Sequence, residues 1–483
     1  MYPSRQTMTA GAVHSESHRQ MRHNILAITA LLLFTACASP EVYGPLPTMA
    51  QVEWQRMEMN MFCHFGPNTF SGAEWGDGTE TEDIFNPTAL NCSQWVDVAS
   101  QVGFGGIILT AKHHDGFCLW PSSQSTHTVA QSSWNEGHGD VLREFVDACS
   151  GRIKAGVYIS PWDRNHPTYG TDDYNNVFIN TLREVHTQYG PMFEQWFDGA
   201  CGEGPNGKQQ RYDWPRYMHT MNELNMHCII FSDIGPGCRW IGNEEGYAGE
   251  TCWSTLNTEG ATPSENKPSP DELTTGHRNG CQWIPAEVDV SIRPGWFWHA
   301  NEHPKTVKEL IDIYFNSVGR NGLLLLNVPP DTNGRICTED SLRLMEFRAE
   351  LDRLFAHDIA QGAHIKASGS LGHKYKVSNA LDTAYHNYWA AKDTLASVEM
   401  IVTESFDIIM LQEYIPMGQK VERFYIEGLT NGHWSHLYDG TSIGYKRLIR
   451  LPQPVKTDAI RITFHAASPV VINRIALYNS RSL

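Results

Sequence analysis

Short apolar runs alternate with longer helical patterns between residues 50 and 357, and this alternation constrains the fold more than any other feature. Each run has the length of a buried strand and is followed by loop residues and then by a helical period. Strands are predicted at Met59–His64, Gly106–Lys112, Lys154–Ser160, Phe193–Phe197, Cys228–Ser232, Thr251–Ser254, Gln282–Ile284 and Leu323–Val328. Apolar strands separated by helices predict a parallel sheet, and eight such units predict an α/β fold with a closed (β/α)8, TIM-like barrel.

The helical patterns between these strands carry start and stop signals. They cover Ser93–Val102, Asp140–Cys149, Asp173–Tyr189, Tyr212–Asn225 and Thr306–Val318. Pro304 precedes the last of these segments and Gly319 follows it, as is typical of helix ends. The sixth and seventh units are the weakest, so the barrel is expected to be irregular there.

A different pattern begins after the helix predicted at Glu339–Phe355. Turn residues now separate short alternating runs, and no helix-length apolar period remains. These runs are Val398–Val402, Ile408–Glu413, Val421–Gly428, His433–Leu437, Ala459–Phe464 and Val470–Tyr478. Such spacing predicts a β-sandwich. The expected domains are therefore a catalytic barrel over residues 41–357 and a C-terminal sandwich over residues 358–483.

The first 40 residues are predicted to contain an export signal, although residues 1–20 are polar and fit no such signal. Arg22 and His23 precede the apolar run Ile25–Phe34, which is too short to span a bilayer. Small residues before Cys37 resemble the lipobox of bacterial lipoproteins, and Met21 is the expected start. We therefore expect a protein exported by a Gram-negative bacterium, periplasmic or anchored in the outer membrane by a lipid on Cys37; secretion without a lipid is the alternative.

The net charge of the chain limits which classes of ligand it is expected to bind. Asp and Glu total 54 against 37 Lys and Arg, which gives a net charge of −17. This excess argues against nucleic acid or anionic lipid as the main ligand, because both are themselves negative. Histidine and aromatic residues are numerous, with 22 His and 15 Trp, and such side chains suit a pocket that binds sugars.

Polar and aromatic residues collect where the predicted strands end. In a barrel of this type the carboxyl ends of the strands carry the catalytic groups. The residues at or just after the first four strands are His64, Glu74, Trp75, His113, His114, Tyr158, Trp196 and Asp198. Arg239 lies in a loop beyond the fifth strand, and Trp298 ends the later run Arg293-Pro294-Gly295-Trp296-Phe297-Trp298. Four consecutive strands that end this way predict a polar pocket with aromatic walls.

Two simpler interpretations exist for these residues. The histidines suggest a metal site, but His113 and His114 are neighbours and should point to opposite faces of a strand, so we predict no metal ligation and no cofactor. Asp198 has the position of a helix N-cap. Gly199 after it and Trp196 before it favour instead a carboxylate placed in the wall of a site.

Four runs together resemble glycoside hydrolase family 29, the α-L-fucosidases. They are His64-Phe65-Gly66, Lys112-His113-His114-Asp115-Gly116-Phe117, Trp196-Phe197-Asp198-Gly199 and Trp240-Ile241-Gly242-Asn243-Glu244. The resemblance covers residues 50–357 and implies a retaining mechanism, a catalytic barrel and a C-terminal sandwich. It also implies that the partner is a fucosylated glycan.

The resemblance assigns roles by position. Asp198 becomes the nucleophile and Trp298 the apolar wall that faces the methyl group of fucose. The remaining implied sugar contacts are His64, Glu74, Trp75, His113, His114, Tyr158, Trp196 and Arg239. A retaining glycosidase needs a second carboxyl to carry the proton. Glu244 is preferred for it, with Glu245, Glu250 and Glu287 as rivals.

Specificity is the least constrained expectation. The Gly242-Asn243-Glu244 run and the later Glu250-Thr251-Cys252-Trp253 resemble the subgroup that acts on branched α-1,3/1,4-fucosides of Lewis type. A retaining glycosidase of α-galactosidase-like specificity and a sugar-binding barrel without activity are the alternatives. The sandwich resembles galactose-binding modules, and its rim residues Asn379, Asp382, Tyr388 and Trp389 are interpreted mainly as turn and core residues, with a sugar or calcium site as the other possibility.

Overall fold

The computed structural model describes residues 39–481, in which a closed barrel of eight parallel strands precedes two antiparallel sheets. The predicted fold, a TIM barrel followed by a C-terminal sandwich, is confirmed. The signal-like segment and Cys37 lie outside the described residues. Within those residues, no helix combines the length and the apolar character that a membrane span requires.

The first ten strands build the barrel and one small side sheet. They are β1 Met59–Cys63, β2 Gly106–Lys112, β3 Lys154–Ile159, β4 Glu194–Trp196, β5 Ile229–Ser232, β6 Cys238–Trp240, β7 Thr255–Leu256, β8 Gln282–Trp283, β9 Ala286–Ser291 and β10 Leu323–Asn327. The barrel closes in the order β1-β10-β9-β6-β5-β4-β3-β2, and β7 pairs antiparallel with β8 outside it.

Helices cover the outside of the barrel. The α-helices of the described chain are α1 Met49–Gln55, α2 Pro67–Ser71, α3 Cys92–Val102, α4 Val141–Cys149, α5 Asp172–Gln188, α6 Trp214–Leu224, α7 Pro270–Thr275, α8 Val307–Asn316 and α9 Thr338–Leu354. Several begin at side-chain caps, because Asn91, Asp140 and Thr306 each accept a backbone N–H of the first turn.

The sixth and seventh barrel strands differ from the prediction. Thr251–Ser254 is not a barrel strand, and Gln282–Ile284 contributes β8 to the side sheet rather than to the barrel. The barrel uses β6 and β9 at these places. β6 is only three residues long, and the acidic Glu287 and Asp289 interrupt the apolar pattern of β9, so neither segment has the appearance of a buried strand.

Alternation along each strand separates two apolar surfaces. Met61 and Ile107 belong to the large cluster between strands and helices, whereas Phe62, Ile108 and Trp196 belong to the cluster inside the barrel. Successive side chains of a strand point to opposite faces, so every second residue points into the barrel. Those inward positions near the carboxyl ends form the base of the candidate site.

Two antiparallel sheets follow the barrel. Their strands are β11 Ile365–Ala367, β12 Trp389–Ala390, β13 Leu395–Ile401, β14 Phe406–Glu413, β15 Val421–Thr430, β16 His433–Gly440, β17 Arg447–Val455, β18 Ala459–Ala466 and β19 Val471–Tyr478. One sheet has the order β11-β13-β18-β15-β16 and the other β12-β19-β14-β17. Phe464, Ile472 and Leu477 are among the buried residues of the core that these sheets share.

Three of these strands are not predicted by the sequence pattern. β11 and β12 are very short, and β17 contains Pro452 and Pro454, which cannot donate to a ladder and are tolerated because β17 lies at a sheet edge. Residues Pro40–Leu483 form one unit, so the predicted domain boundary at residue 357, between α9 and β11, stays a prediction.

The sheets contact the barrel at a loop that lies downstream of β6. The Ser442 hydroxyl accepts the backbone N–H of Cys252 at 2.9 Å. Gln419 accepts the N–H of Ser254 at 2.8 Å and donates to the Cys252 carbonyl at 3.1 Å. These three hydrogen bonds satisfy backbone groups of Cys252 and Ser254, which lie outside the strands.

Candidate active site

A cavity of about 410 Å³ opens at the carboxyl ends of the barrel strands. Its walls come from most of the strands of the barrel, as expected for a fold in which chemistry is carried by strand ends. The lining residues are Phe62, His64, Glu74, Trp75, His113, His114, Tyr158, Trp196, Asp198, Ala200, Glu244, Asp289, Pro294, Gly295 and Trp296. Nine of the predicted site residues therefore meet in one cavity.

Asp198 is held by hydrogen bonds on both carboxyl oxygens. The Tyr158 hydroxyl donates to Oδ2 at 2.9 Å, and Nε2 of His114 lies 3.6 Å from the same oxygen. Oδ1 accepts the backbone N–H of Ala200 at 2.7 Å. The next helix, α6, is capped by Asp213. Asp198 is therefore an oriented carboxylate in the cavity wall and does not cap a helix.

Three buried imidazoles form one side of the cavity. His64 Nδ1 lies 2.9 Å from Oδ1 of Asn327, and His114 Nδ1 lies 2.8 Å from the Ser160 hydroxyl. Burial lowers the pKa of His64 to about 3, that of His114 to about 4 and that of His113 well below its usual range. Neutral imidazoles both donate and accept hydrogen bonds, which suits sugar hydroxyls.

His113 and His114 do not point to opposite faces, contrary to the expectation. Their ring centroids are 4.2 Å apart, and both rings line the cavity. The reason is that β2 ends at Lys112, and both histidines lie in the turn that follows, where strand alternation no longer applies.

Glu244 lies at the exposed mouth of the same cavity. Its Oε2 accepts the indole N–H of Trp296 at 3.2 Å. Partial removal from water raises the pKa of this carboxyl, and the negative charge of Asp198 raises it further. A carboxyl with a raised pKa in the same cavity as an oriented carboxylate is the arrangement that glycoside hydrolysis needs.

The chain after β1 contributes Glu74 and Trp75 to the cavity wall. Glu74 Oε2 accepts the backbone N–H of Trp296 at 2.8 Å, and its Oε1 lies 2.6 Å from Nε2 of His299. Trp75 is 59% exposed and packs edge-on against the rings of His114 and Trp162. It therefore offers an apolar surface to solvent at the rim.

Arg239 does not line the cavity. Cys238 belongs to the cluster inside the barrel, so Arg239, the next residue of β6, faces outward. Its fully buried guanidinium donates to the backbone carbonyls of Leu273 at 2.9 Å and Trp253 at 3.0 Å. The structure thus places Arg239 as a support for loop backbone rather than as a sugar contact.

Trp298 is also outside the cavity. Its ring packs near the guanidinium of Arg293, at 5.9 Å from the centroid. Trp296, two residues earlier in the same run, lines the cavity instead, with its ring 5.0 Å from that of His64. This run lies in a loop without regular alternation, so the sequence does not indicate which of its tryptophans turns towards the cavity.

The other three candidates for the proton donor do not line the cavity. Glu287 is fully buried inside the barrel below the cavity, where its Oε1 accepts the indole N–H of Trp196 at 2.8 Å. Glu245 and Glu250 are exposed and are absent from the cavity lining. Of the four candidates for the proton donor, Glu244 alone lines the cavity.

Asp289 is a cavity residue that sequence reasoning missed. It is 2% exposed, and burial together with the negative charge of Glu244 raises its pKa well above the usual range. Glu287 and Asp289 alternate with Ala286, Val288 and Val290, so the spacing of the acids signalled a strand with a polar inward face.

In the described part of the chain, three side chains lie close enough together to hold a metal ion, namely Glu194, Cys238 and Glu287. They lie inside the barrel, and none of them lines the cavity. A larger cavity, of about 860 Å³, is found at the amino ends of the strands, near Lys154 and Ile229. Because barrel chemistry resides at the other end, the smaller cavity is the candidate active site.

Comparison with known proteins agrees with this geometry. Residues 43–351 match the family model described as alpha-L-fucosidase. The chain is 42% identical over 446 residues to alpha-L-fucosidase 1 of Arabidopsis thaliana, covering 90% of this chain and 87% of that protein.

Solved structures give the same result. A Ruminococcus gnavus GH29 fucosidase in complex with fucose is 32% identical with a TM-score of 0.84, covering 92% of this chain and 97% of that one. A glycoside hydrolase 29 family member from an unknown rumen bacterium is 37% identical with a TM-score of 0.81, covering 92% and 79%. The chain therefore belongs to glycoside hydrolase family 29, the α-L-fucosidases.

Proposed function

We propose that this α-L-fucosidase is a retaining exo-enzyme that uses Asp198 as nucleophile and Glu244 as general acid and base. The observation that carries the proposal is the presence of both carboxyls in one cavity, Asp198 oriented by hydrogen bonds and Glu244 with a raised pKa. Two carboxyls of this kind are what double displacement requires.

In the first step an Asp198 oxygen bonds to the anomeric carbon while the bond from that carbon to the leaving oxygen breaks. Glu244 gives its proton to that oxygen, so the departing sugar leaves as an alcohol. In the second step water bonds to the anomeric carbon, its proton passes to Glu244, and the bond to Asp198 breaks. Two inversions return the α configuration.

The cavity wall suits the bound sugar. We assign hydroxyl contacts to Glu74, Tyr158 and the three histidines, and apolar contact to Trp75 and Trp196. Trp296 replaces Trp298 as the wall proposed for the methyl group, because its indole lies inside the cavity. Arg239 has no sugar contact in this proposal.

The stereochemistry of the first product tests the mechanism. Proton NMR of a fresh reaction should show α-L-fucose first, with the β anomer growing later by mutarotation. Initial release of β-L-fucose would contradict double displacement. A panel of nitrophenyl glycosides, with the galactoside as control, separates fucosidase from α-galactosidase-like specificity.

Linkage preference is proposed from the sequence resemblance alone. The runs around Glu244 and Cys252 support action on branched α-1,3/1,4-fucosides, so Lewis a and Lewis x trisaccharides should be hydrolysed more efficiently than nitrophenyl fucoside. Efficient hydrolysis of the aryl substrate with none of either trisaccharide would contradict this assignment.

Export is likewise proposed from sequence. A lipid on Cys37 is supported by the apolar run Ile25–Phe34 and the small residues that follow it. Expression in a Gram-negative host with labelled palmitate should give a labelled membrane protein, and Cys37→Ser should lose the label. An unlabelled protein in the periplasm would support secretion without a lipid.

A further inference from the structure

Two glutamates lie side by side in the closed interior of the barrel, beneath the candidate site. Glu194 belongs to β4 and Glu287 to β9, and both are fully buried. One carboxylate oxygen of each and the Cys238 thiol lie within 4.8 Å of one another. Neither carboxyl pairs with a lysine or arginine of the described residues, so their charge has no counter-ion there.

Each glutamate has one oxygen fixed by a tryptophan. The indole N–H of Trp54 donates to Glu194 Oε2 at 2.8 Å, and that of Trp196 donates to Glu287 Oε1 at 2.8 Å. The Cys238 thiol donates to the other oxygen of Glu194, Oε1, at 3.6 Å. Glu287 Oε2 has no hydrogen-bond donor among the described residues.

Two carboxylates cannot both be ionised at such a distance in a dry interior without a cation. A proton held between them removes one charge and supplies the hydrogen bond that Glu287 Oε2 otherwise lacks. Burial raises the pKa of both groups, and the negative charge of Glu194 raises that of Glu287 further, which agrees with a retained proton.

We propose that Glu194 and Glu287 share one proton and act together as a positioning pair that fixes the indole of Trp196 in the wall of the active site. The inference deepens the proposed function, because it assigns a task to a carboxyl that the sequence offered as a rival proton donor.

The geometry connects the pair to the nucleophile. The Trp196 indole stacks on Phe231, with centroids 3.8 Å apart and planes 7° apart, and on Tyr158 at 5.3 Å and 27°. Tyr158 in turn donates its hydroxyl to Asp198. Rotation of the Trp196 ring would therefore disturb both the sugar wall and a hydrogen bond to the catalytic carboxylate.

Three substitutions separate positioning from general stability. Glu287→Leu removes the acceptor for the Trp196 indole, and a misplaced wall should lower kcat on nitrophenyl fucoside by about tenfold to a hundredfold. Glu287→Gln keeps an oxygen for the indole and an N–H for Glu194, so it should restore most of that loss. Val290→Ala, on the helix-facing side of β9, is the control for strand damage.

The shared proton has its own readout. Infrared difference spectra of wild type against Glu287→Gln, each in H2O and D2O at pH 7, should show one protonated-carboxyl band that the variant lacks. Absence of this band would overturn the shared proton. Glu194→Gln tests the same bond from the other side if Glu287→Gln does not fold. Because this measurement needs no substrate, it separates failure of the pair from failure of the proposed function, which an inactive wild type would reveal.

Three further results would overturn the inference. The first is wild-type kcat in Glu287→Leu. The second is equal loss in Glu287→Gln and Glu287→Leu, because the amide preserves the proposed contacts. The third is a stoichiometric metal ion in the purified wild type by mass spectrometry, since a cation between the two carboxylates would replace the proton. Metal-free protein with rescue by Gln supports the pair.

Discussion

The interior of the barrel and the core between the two C-terminal sheets bury acidic groups in opposite ways. Glu413 in the sheets is buried, but its two oxygens accept three backbone N–H groups, from Lys420, Val421 and Gly444. In the barrel, Glu287 and Asp289 are equally buried, and each has one oxygen without a hydrogen-bond donor in the described chain.

A buried oxygen without a hydrogen bond lowers the stability of the fold, so the two regions differ in how their buried carboxylates affect stability. The sheets satisfy their single buried glutamate and surround it with apolar residues, which favours stability. The barrel instead places carboxyls without a backbone donor at strand positions that lie in or directly below the candidate site, and the proton proposed to be shared with Glu194 is what satisfies Glu287. Substitutions in the barrel interior should therefore affect turnover more than folding, and substitutions in the sheet core the reverse.

The largest expected effect comes from Asp198→Ala, which should lower kcat by at least about 10⁴-fold because the covalent step loses its nucleophile. The melting temperature should stay close to that of wild type. Azide should partly restore turnover and give β-L-fucosyl azide, detected by NMR. Substantial activity without azide, or an α-azide product, would contradict the assigned role.

Glu244→Ala should have the second-largest effect. Its kcat on Lewis trisaccharides should fall by about 10²–10⁴-fold, because the leaving groups of these substrates need a proton. Aryl fucosides with good leaving groups should lose far less in the first step. The control is Glu245→Ala, an adjacent exposed carboxyl outside the cavity. If Glu245→Ala reproduces the loss, the proton donor has been misassigned.

The sheet core should show the opposite behaviour. Phe464 is fully buried there, and Phe464→Ala should lower the free energy of unfolding by about 3–5 kcal/mol through lost burial and a cavity. The kcat of the remaining folded enzyme should not change. A denaturation curve combined with active-site titration measures both quantities, and a large fall in kcat per active site would remove the distinction between the two regions.

Acidification should destabilise the barrel through its histidines. The pKa of His64 is about 3 and that of His114 about 4 in the folded state, against about 6.5 in an unfolded chain. Unfolding therefore takes up protons between these values, so stability is complete above pH 6.5 and falls towards pH 4. Each histidine should contribute a slope of about 1.4 kcal/mol per pH unit in this window.

The slope is measured by denaturant titration at several pH values. His114→Gln should reduce it, whereas His219→Gln, at an exposed helix position, should leave it unchanged. An unaltered slope in His114→Gln would show that this imidazole is already protonated in the folded protein.

The smallest effect should lie where the two regions meet. Ser442→Ala removes the hydroxyl that contacts both the N–H and the carbonyl of Cys252, at a cost of about 1 kcal/mol in unfolding free energy. Because Cys252 follows the Glu244 loop, kcat on Lewis trisaccharides should also fall slightly. Thr430→Ala, at the far end of β15, serves as the control.

Much of the fold was predictable because the barrel strands that carry apolar residues have unmistakable patterns. β2 was predicted at its observed bounds, and the neighbouring β1 and β3 within one residue. β6 and β9 were missed for a physical reason. Pattern analysis assumes that a buried strand is apolar, and β9 carries Glu287 and Asp289 on its inward face because that face lies in or below the site.

Prediction of the candidate site is limited in the same way, because only residues tied to an apolar strand can be located from the sequence pattern. Residues directly after apolar strands, such as His64 and Asp198, were found because their position follows from the strand. Asp289 was missed with its strand, and Trp296 was passed over for Trp298 because a loop has no period. The segment of Arg239 has no strand pattern in the sequence, and only the alternation within β6 shows that its side chain points outward.

The bonds from Gln419 and Ser442 to the Cys252 segment have a practical consequence for engineering. A minimal enzyme cut at residue 357 would leave the backbone of that segment without four hydrogen bonds, next to the loop that carries Glu244. The barrel is therefore a poor stand-alone scaffold. Mutant libraries aimed at new fucosides should include the turn around Ser442, although it is remote from the cavity in the chain.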